Sequence, residues 1–338
     1  MTPDIHQRLQ QYYRDHLETK HDVKISNLTN ITSGWESDVY AFSLEHGQRS
    51  SRVTEKLVLR LYSGESASNK SEHEFHSLKR LHEVGYPVPQ VHVLESNLSP
   101  LGKPFIIMEK IDGPTMWMKL GSADETTKVK LINQFCELFI RLHQLDWHLF
   151  VEEAEQSKYQ NPYAFVDEWF GVAQNFLEQY PDSGFRSVVT WLEERREMLP
   201  CRTPSPTHND FHSNNVLLRN GISPIVIDWT GFSVSDARFD LAWTLMLADA
   251  YLGSIWRETI LGEYEYILGE KVAALDYFIV FACARRLFDV SISLLHGAEK
   301  MGMRAEAVAA MRQDKKTHER VHQLLAERTG LRIEWVES

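Results

Sequence analysis

The segment 206–218, PTHNDFHSNNVLL, sets His208, Asp210, His212 and three asparagines ahead of an apolar run, and a second apolar run, PIVIDW, then delivers Asp228. Short polar side chains before strand-like segments can bind a cation, move a proton or merely form a turn. The two runs are separated by NGIS at 220–223, a hairpin signal, and a hairpin brings its ends together. Asn215 opens that hairpin and Asp228 follows it, so the pair offers hard oxygen ligands of the kind magnesium takes alongside phosphates and water. Asp210 is then left to handle a proton. His208 and His212 are four apart, a metal-pair spacing that works on a helix. The asparagine-rich loop character here argues against zinc and for His208 as a buttress of the loop.

These side chains need a scaffold, and the chain is long enough for two domains of unequal size: 338 residues, 43% of them hydrophobic and 25% charged. The strand EKLVLRLYS sets Leu57, Leu59 and Leu61 on one face and Val58, Arg60 and Tyr62 on the other. A helix is predicted over 70–83, with Glu74 in line with Leu78 and Leu81, and GYPVPQ stops it. With VHVLES, PFIIMEKI and the looser alternation of 23–47, residues 22–111 read as a mostly antiparallel sheet of about five strands with one inserted helix, preceded by a helix over 1–20. DGPT at 112–115 breaks the pattern. Beyond it Leu131, Phe135, Leu138, Leu142 and Leu145 recur at helical spacing, further helices are predicted near 162–180 and 184–198, and the chain is helical again from DARFDLAW to about residue 328. The expectation is an α+β, two-lobed fold: a small β lobe over 1–111 and a large helical lobe over 112–338, with a ligand cleft where the lobes meet.

Several function classes fall away on composition. No apolar run is long enough for a membrane span, and the first 20 residues lack the apolar core of a secretory signal. Cys136, Cys201 and Cys283 are far apart and form no CxxC pair, which points to a reducing compartment; the protein is expected to be cytoplasmic. A net charge of −11 disfavours nucleic acid and anionic lipid as partners and is compatible with a cationic one.

HNDFHSNN followed by VIDW and DLAW resembles the aminoglycoside phosphotransferase and choline-kinase-like family, which has a protein-kinase-like fold. The family loop H-G-D-x-x-x-x-N, its later aspartate and its D-L-A are filled here by His208, Asp210, Asn215, Asp228 and Asp240. Upstream, ITSGWESDVYAF is similar to the family's phosphate loop, LVLRLY to its third strand, EHEFHSLKRLHEVGYPVPQV to its first-lobe helix and GKPFIIMEKIDG to its hinge strand. The resemblance implies a magnesium- and nucleotide-dependent kinase (ATP or GTP) acting on a hydroxyl of a small molecule, an aminoglycoside-like or other amine-bearing alcohol. It implies catalytic roles for Asp210, Asn215 and Asp228, with Asn215 and Asp228 holding the metal. Nucleotide contacts would come from Ser33, Gly34, Ser37, Arg60 paired with Glu74, and the backbone of Met108, Glu109 and Lys110.

Asn209 replaces the family's glycine, and asparagine is the residue that best tolerates a left-handed backbone after glycine. Arg60 stands where protein kinases have lysine and keeps the charge. About a dozen residues separate Asp228 from DLAW, too few for an activation loop, and this disfavours a protein kinase. Choline-, homoserine- or sugar-type acceptors, and a nucleotide-binding regulatory protein without turnover, are the alternatives. Asp240 is expected to cap the helix after it and so fix the loop, and Asp236 to lie on the surface; Trp169, Trp229, Trp243 and Trp256 could line an acceptor pocket, but such tryptophans are more often core, and only Trp229, beside the metal aspartate, is taken as a pocket candidate.

Overall fold

The computed structural model describes residues 5–16, 23–31, 37–47, 52–98, 100–179, 181, 184–297 and 306–333. Its contacts divide into two compact units, Met1–Gly113 with Leu217–Thr230 and His296–Ala309, and Pro114–Val216 with Gly231–Leu295 and Ala310–Ser338.

The first unit opens with α1 (Ile5–His16), followed by β1 (Lys24–Asn30), β2 (Ser37–His46), β3 (Val53–Tyr62), α2 (Ala67–Glu83), β4 (Val91–Glu95) and β5 (Phe105–Glu109). The strands form one antiparallel sheet in the order β1-β2-β3-β5-β4. The alternation in β3 does what its period of two requires. Leu57, Leu59 and Leu61 join Leu9, Tyr12, Phe42 and Phe105 in a buried cluster under α1. Arg60, paired with Val39 of β2 and Ile106 of β5, lies on the other face, where α2 packs. α2 starts three residues earlier than its apolar spacing indicates and stops where Gly85 adopts φ +77°.

The second unit holds α3 (Met116–Ser122), α4 (Glu125–His143), α5 (Ala164–Gln179), α6 (Arg186–Glu193) and the short strand β6 (Ser205–Thr207). After the polar loop comes the hairpin of β7 (Val216–Arg219) and β8 (Ser223–Val226), most of which belongs to the first unit. Asn220 and Gly221 both have positive φ there, the backbone that lets a tight hairpin turn match the strand twist. Next come β9 (Ser233–Ser235), which pairs with β6, then α7 (Ala237–Leu252), α8 (Ser254–Leu268), α9 (Leu275–His296), α10 (Glu306–Gln313) and α11 (Lys315–Thr329). Asp124 and Thr115 cap α4 and α3 by accepting from the amides of Thr127 and Met118. The core of this unit gathers apolar faces of α5, α6, α7, α9 and α11 around Phe170, Val188, Met246, Phe281 and Leu324. Among the described residues no helix is long and apolar enough to cross a membrane.

α11 also buries histidine. Burial, with His318 nearby, pushes the His322 imidazole down from 6.5 to about 4. A folded-state pKa below the unfolded one means that the unfolded chain binds more protons between those values. Stability should therefore be constant above about pH 6.5 and fall as the pH drops toward about 4. Urea midpoints measured down that range should decline for the wild type and decline less for His322→Gln. A second expected outcome concerns the sheet: Leu59 is fully buried, and Leu59→Ala should lower unfolding stability by about 2–5 kcal/mol.

Candidate active site

One face of α7 builds the polar loop. Asp240, Trp243 and Thr244 are spaced i, i+3 and i+4, so their side chains emerge side by side. Asp240, fully buried, accepts from the backbone amides of His208 (2.7 Å) and Asn209 (2.8 Å). His143 of α4 donates to the same carboxylate through Nε2 at 3.1 Å and accepts from the Tyr264 hydroxyl at Nδ1. Thr244 donates to the carbonyl of Phe211 at 2.7 Å, and the Phe211 ring stacks on Phe139 with centroids 4.2 Å apart. The backbone is thus clamped on both sides of Asp210. The Asp210 side chain is held by Trp243, whose indole N–H donates to Oδ1 at 3.0 Å, with His212 Nε2 3.4 Å from Oδ2.

Asp240 is therefore not the cap of α7. Asp236 is: it accepts from the amide of Arg238, is 4% exposed and pairs with the Arg238 side chain at 2.6 Å. Both sequence expectations are corrected for the same reason. The helix begins four residues earlier than DLAW indicates, which moves Asp240 to an inward-facing position in the first turns. Asn209 has φ +62°, the left-handed backbone anticipated for the glycine-like position, and its side-chain amide bonds the carbonyl of Gly231 and the hydroxyls of Ser233 and Thr207. Asn215, 7% exposed, donates to the Asp210 carbonyl at 3.0 Å, an arrangement that leaves its amide oxygen as an acceptor.

Burial pushes the Asp210 carboxyl up, but His212, the Trp243 N–H and His208 outweigh it and hold the pKa well below the usual carboxylate range. Asp210 is thus an ionised acceptor at neutral pH and a weak base, suited to orienting a hydroxyl more than to stripping it.

In the first unit, Arg60 gathers three partners. It donates through Nε to Ser37 Oγ (2.7 Å), through Nη1 to Glu74 (2.8 Å) and through Nη2 to Asp228 Oδ1 (2.8 Å). Glu74 is 1% exposed and also accepts from the Tyr62 hydroxyl and the amide of Trp229. Desolvation alone would lower the Arg60 pKa, yet the charges of Asp228 and Glu74 raise it well above its ordinary value. Two carboxylates face one guanidinium. The more accessible carboxylate is Asp228, whose side chain is 34% exposed against 1% for Glu74. An accessible carboxylate is a ligand type that a divalent cation takes. Among the described residues no group of three or more His, Cys, Asp or Glu side chains could hold a metal by itself. Magnesium typically takes only one or two carboxylates from a protein and completes its shell with phosphates and water.

The remaining predicted positions are distributed as follows. Met108 lies in β5, and the amides of Glu109 and Lys110 already donate to Gln90 and Lys56. The Glu109 carboxylate pairs with Arg219 at 2.6 Å. The next amide along, that of Ile111, makes no hydrogen bond among the described residues and was not anticipated. Ser33 and Gly34 lie outside the described residues. Trp229 is fully buried, donates to the carbonyl of Val226 and packs edge-on against Tyr86. It is core, and the expected pocket-lining role is corrected. His143 is a site residue that sequence reasoning missed, while Trp243 and His212, weighed there as a possible pocket tryptophan and half of a metal pair, instead hold the Asp210 side chain.

Both parts of this arrangement belong to one class of enzyme. The phosphotransferase enzyme family pattern matches residues 27–275, and the chain belongs to that family. It is a small-molecule phosphotransferase with a protein-kinase-like fold and a hydroxyl-group acceptor. Solved structures to which it is similar include a thermostable mutant of aminoglycoside phosphotransferase APH(4)-Ia in ternary complex with ADP and hygromycin B (TM-score 0.63, 15% identity, covering 96% of this chain and 98% of that one). Others are ADP-bound aminoglycoside phosphotransferase APH(2'')-Ib (0.57, 19%, 97% and 99%) and the gentamicin–APH(2'')-IIa complex (0.59, 19%, 97% and 97%). At such identities the likeness is one of fold. A search of the curated proteins gives no match.

The clamp makes a direct prediction. Asp240→Ala removes the acceptor for two backbone amides and for His143, and should lower stability by about 2–4 kcal/mol. Denaturant unfolding checks this, and kcat should fall in parallel because Asp210 loses its anchored backbone.

Proposed function

We propose that the protein transfers the γ-phosphoryl group of ATP or GTP to a hydroxyl of a small molecule, with Asp210 orienting that hydroxyl. The observation that carries this reading is the Arg60 fork on Glu74 and Asp228, at the positions that the family resemblance gives to the phosphate-binding base, its partner and the metal carboxylate. Transfer forms a bond from the acceptor oxygen to the γ-phosphorus and breaks the bond from that phosphorus to the β–γ bridging oxygen. The acceptor proton passes to Asp210 or onward to solvent, and the nucleoside diphosphate leaves. Little covalent chemistry falls to the protein in such a reaction; positioning and charge neutralisation dominate.

Magnesium, held by Asn215 and Asp228, would neutralise phosphate charge. Arg60 uses three N–H groups on Ser37, Glu74 and Asp228, and its remaining donors are available to phosphate oxygens. Backbone groups beside Ser33, Gly34 and Ser37 would contact the phosphates. The adenine or guanine edge would be read by main-chain groups of Met108, Glu109 and Lys110, with the Ile111 amide as the free donor among their neighbours. The overall charge of −11 and the aminoglycosides in neighbouring structures support an amine-bearing alcohol as acceptor.

A coupled nucleotide-turnover assay over aminoglycosides, choline-like alcohols, hydroxy acids and sugars tests the reading. Asp210→Ala should lower kcat by about 10²–10⁴-fold, and a rate untouched by that change would remove Asp210 from the reaction. Asp228→Ala should weaken Mg–nucleotide binding by at least about tenfold, read by calorimetry. Because the Asp210 pKa is depressed, its base form persists until the pH falls below the ordinary carboxylate range. The pH–rate profile should therefore show no acid limb from Asp210 between roughly pH 5 and 8.

A further inference from the structure

The indole that holds Asp210 is itself covered by a cation. Arg285 of α9 places its guanidinium 4.5 Å from the Trp243 ring centroid and 5.5 Å from that of Phe239. One indole ring therefore separates Arg285 from the carboxylate that receives the acceptor hydroxyl. Asp289, one turn along α9, forms a long ion pair with Arg285 at 3.8 Å, beyond hydrogen-bonding distance, and the Arg285 side chain is 29% exposed. Among the described residues Arg285 makes no hydrogen bond. A guanidinium whose one ion pair is too long for a hydrogen bond, held over aromatic rings and reachable by solvent, can still offer its donors to an oxyanion. The neighbouring Arg286 adds positive charge: burial, Asp314 and Asp210 raise the Tyr251 phenol of α7 while Arg286 opposes them, and burial with Arg286 lowers the His318 imidazole.

We infer that Arg285 is an acceptor-recognition residue, and that the acceptor alcohol carries an oxyanionic group, a carboxylate or a phosphate, which pairs with Arg285 while its hydroxyl meets Asp210. The inference rests on the proposed kinase reading and narrows its acceptor; an amine elsewhere on the same molecule is compatible with it. Stacking alone would give Arg285 a purely structural task, that of setting the Trp243 ring. That task predicts equal losses with every acceptor, whereas recognition predicts losses only with acids.

The test uses the full chain with magnesium and ATP or GTP. The probes are D-glycerate and homoserine for carboxylates, glycerol 3-phosphate for phosphate, glycerol as the neutral counterpart, and choline and gentamicin as cations. The wild type should transfer to an acid-bearing probe in preference to glycerol, and the arm that responds distinguishes carboxylate from phosphate. Arg285→Gln should raise KM for that probe roughly tenfold to a hundredfold, with a much smaller change in kcat. Arg285→Lys should restore part of the loss, because it returns the charge without the fork. Thermal-shift binding of the same probes with a non-hydrolysable nucleotide reads recognition without turnover: stabilisation by an acid in the wild type should vanish in Arg285→Gln. Preference for choline or gentamicin, equal losses with all probes, or acid-induced stabilisation that is absent in the wild type or kept in the variant would each overturn the inference. Failure of the kinase reading shows separately, as transfer to no probe at all or transfer that survives Asp210→Ala.

Discussion

The site depends on one buried carboxylate. Asp240 has no solvent contact, and its charge is sustained by two backbone amides and one imidazole. An unpaired carboxylate at that depth would be strongly unfavourable, so the loop cannot leave without stranding the charge. This constraint turns an asparagine-rich turn into a fixed platform. It explains why Asn209 tolerates a left-handed backbone, since each bond from its amide and side chain holds that conformation in place. It also explains why Asp210, between two clamped neighbours, can present its carboxylate in one direction. The Phe211–Phe139 stack supplies the same constraint in apolar form on the other side.

The first unit applies a different logic. Arg60 links Glu74 and Asp228 into a chain of charges. Glu74 is sealed by Tyr62 and the Trp229 amide and acts as the fixed end, while Asp228 is the accessible end. Asp228 has φ +69°, an unfavourable backbone for an aspartate, and its Oδ1 is gripped by Arg60 and Thr230. Strain that is held by two hydrogen bonds to the same oxygen fits a side chain whose direction matters more than its local stability.

Much of this was legible in the sequence where the pattern is local. The alternation of β3 put Arg60 opposite the leucines, and the spacing of Glu74, Leu78 and Leu81 turned Glu74 inward, toward the face where Arg60 emerges. The five strands, the inserted helix and the Asn220–Gly221 turn follow from period and turn chemistry alone. What was not legible is long-range or very short. The three-residue strands β6 and β9 are too brief to carry a period. The clamp joins residues 208 and 240, and nothing local distinguishes a carboxylate that caps a helix from one that reaches back across a loop. Trp229 was misjudged from adjacency: the left-handed backbone at Asp228 turns the chain, and its neighbour in sequence faces the core.

Arg285 illustrates a further limit, on reading function from total charge. A net charge of −11 describes the field many ångströms away, and salt screens that field over about 8 Å under physiological conditions. Within a single indole of Asp210 the relevant charges are few, and they include the cation Arg285 as well as carboxylates. The same acidic chain can therefore repel anions at long range and still present a cationic contact where a substrate must be held. On the inferred role of Arg285, acceptor selectivity would be decided by which side chains α7 and α9 bring to the loop, because charge interactions strengthen at short range and low dielectric. The helices that complete the core of the second unit would thus also select its substrate.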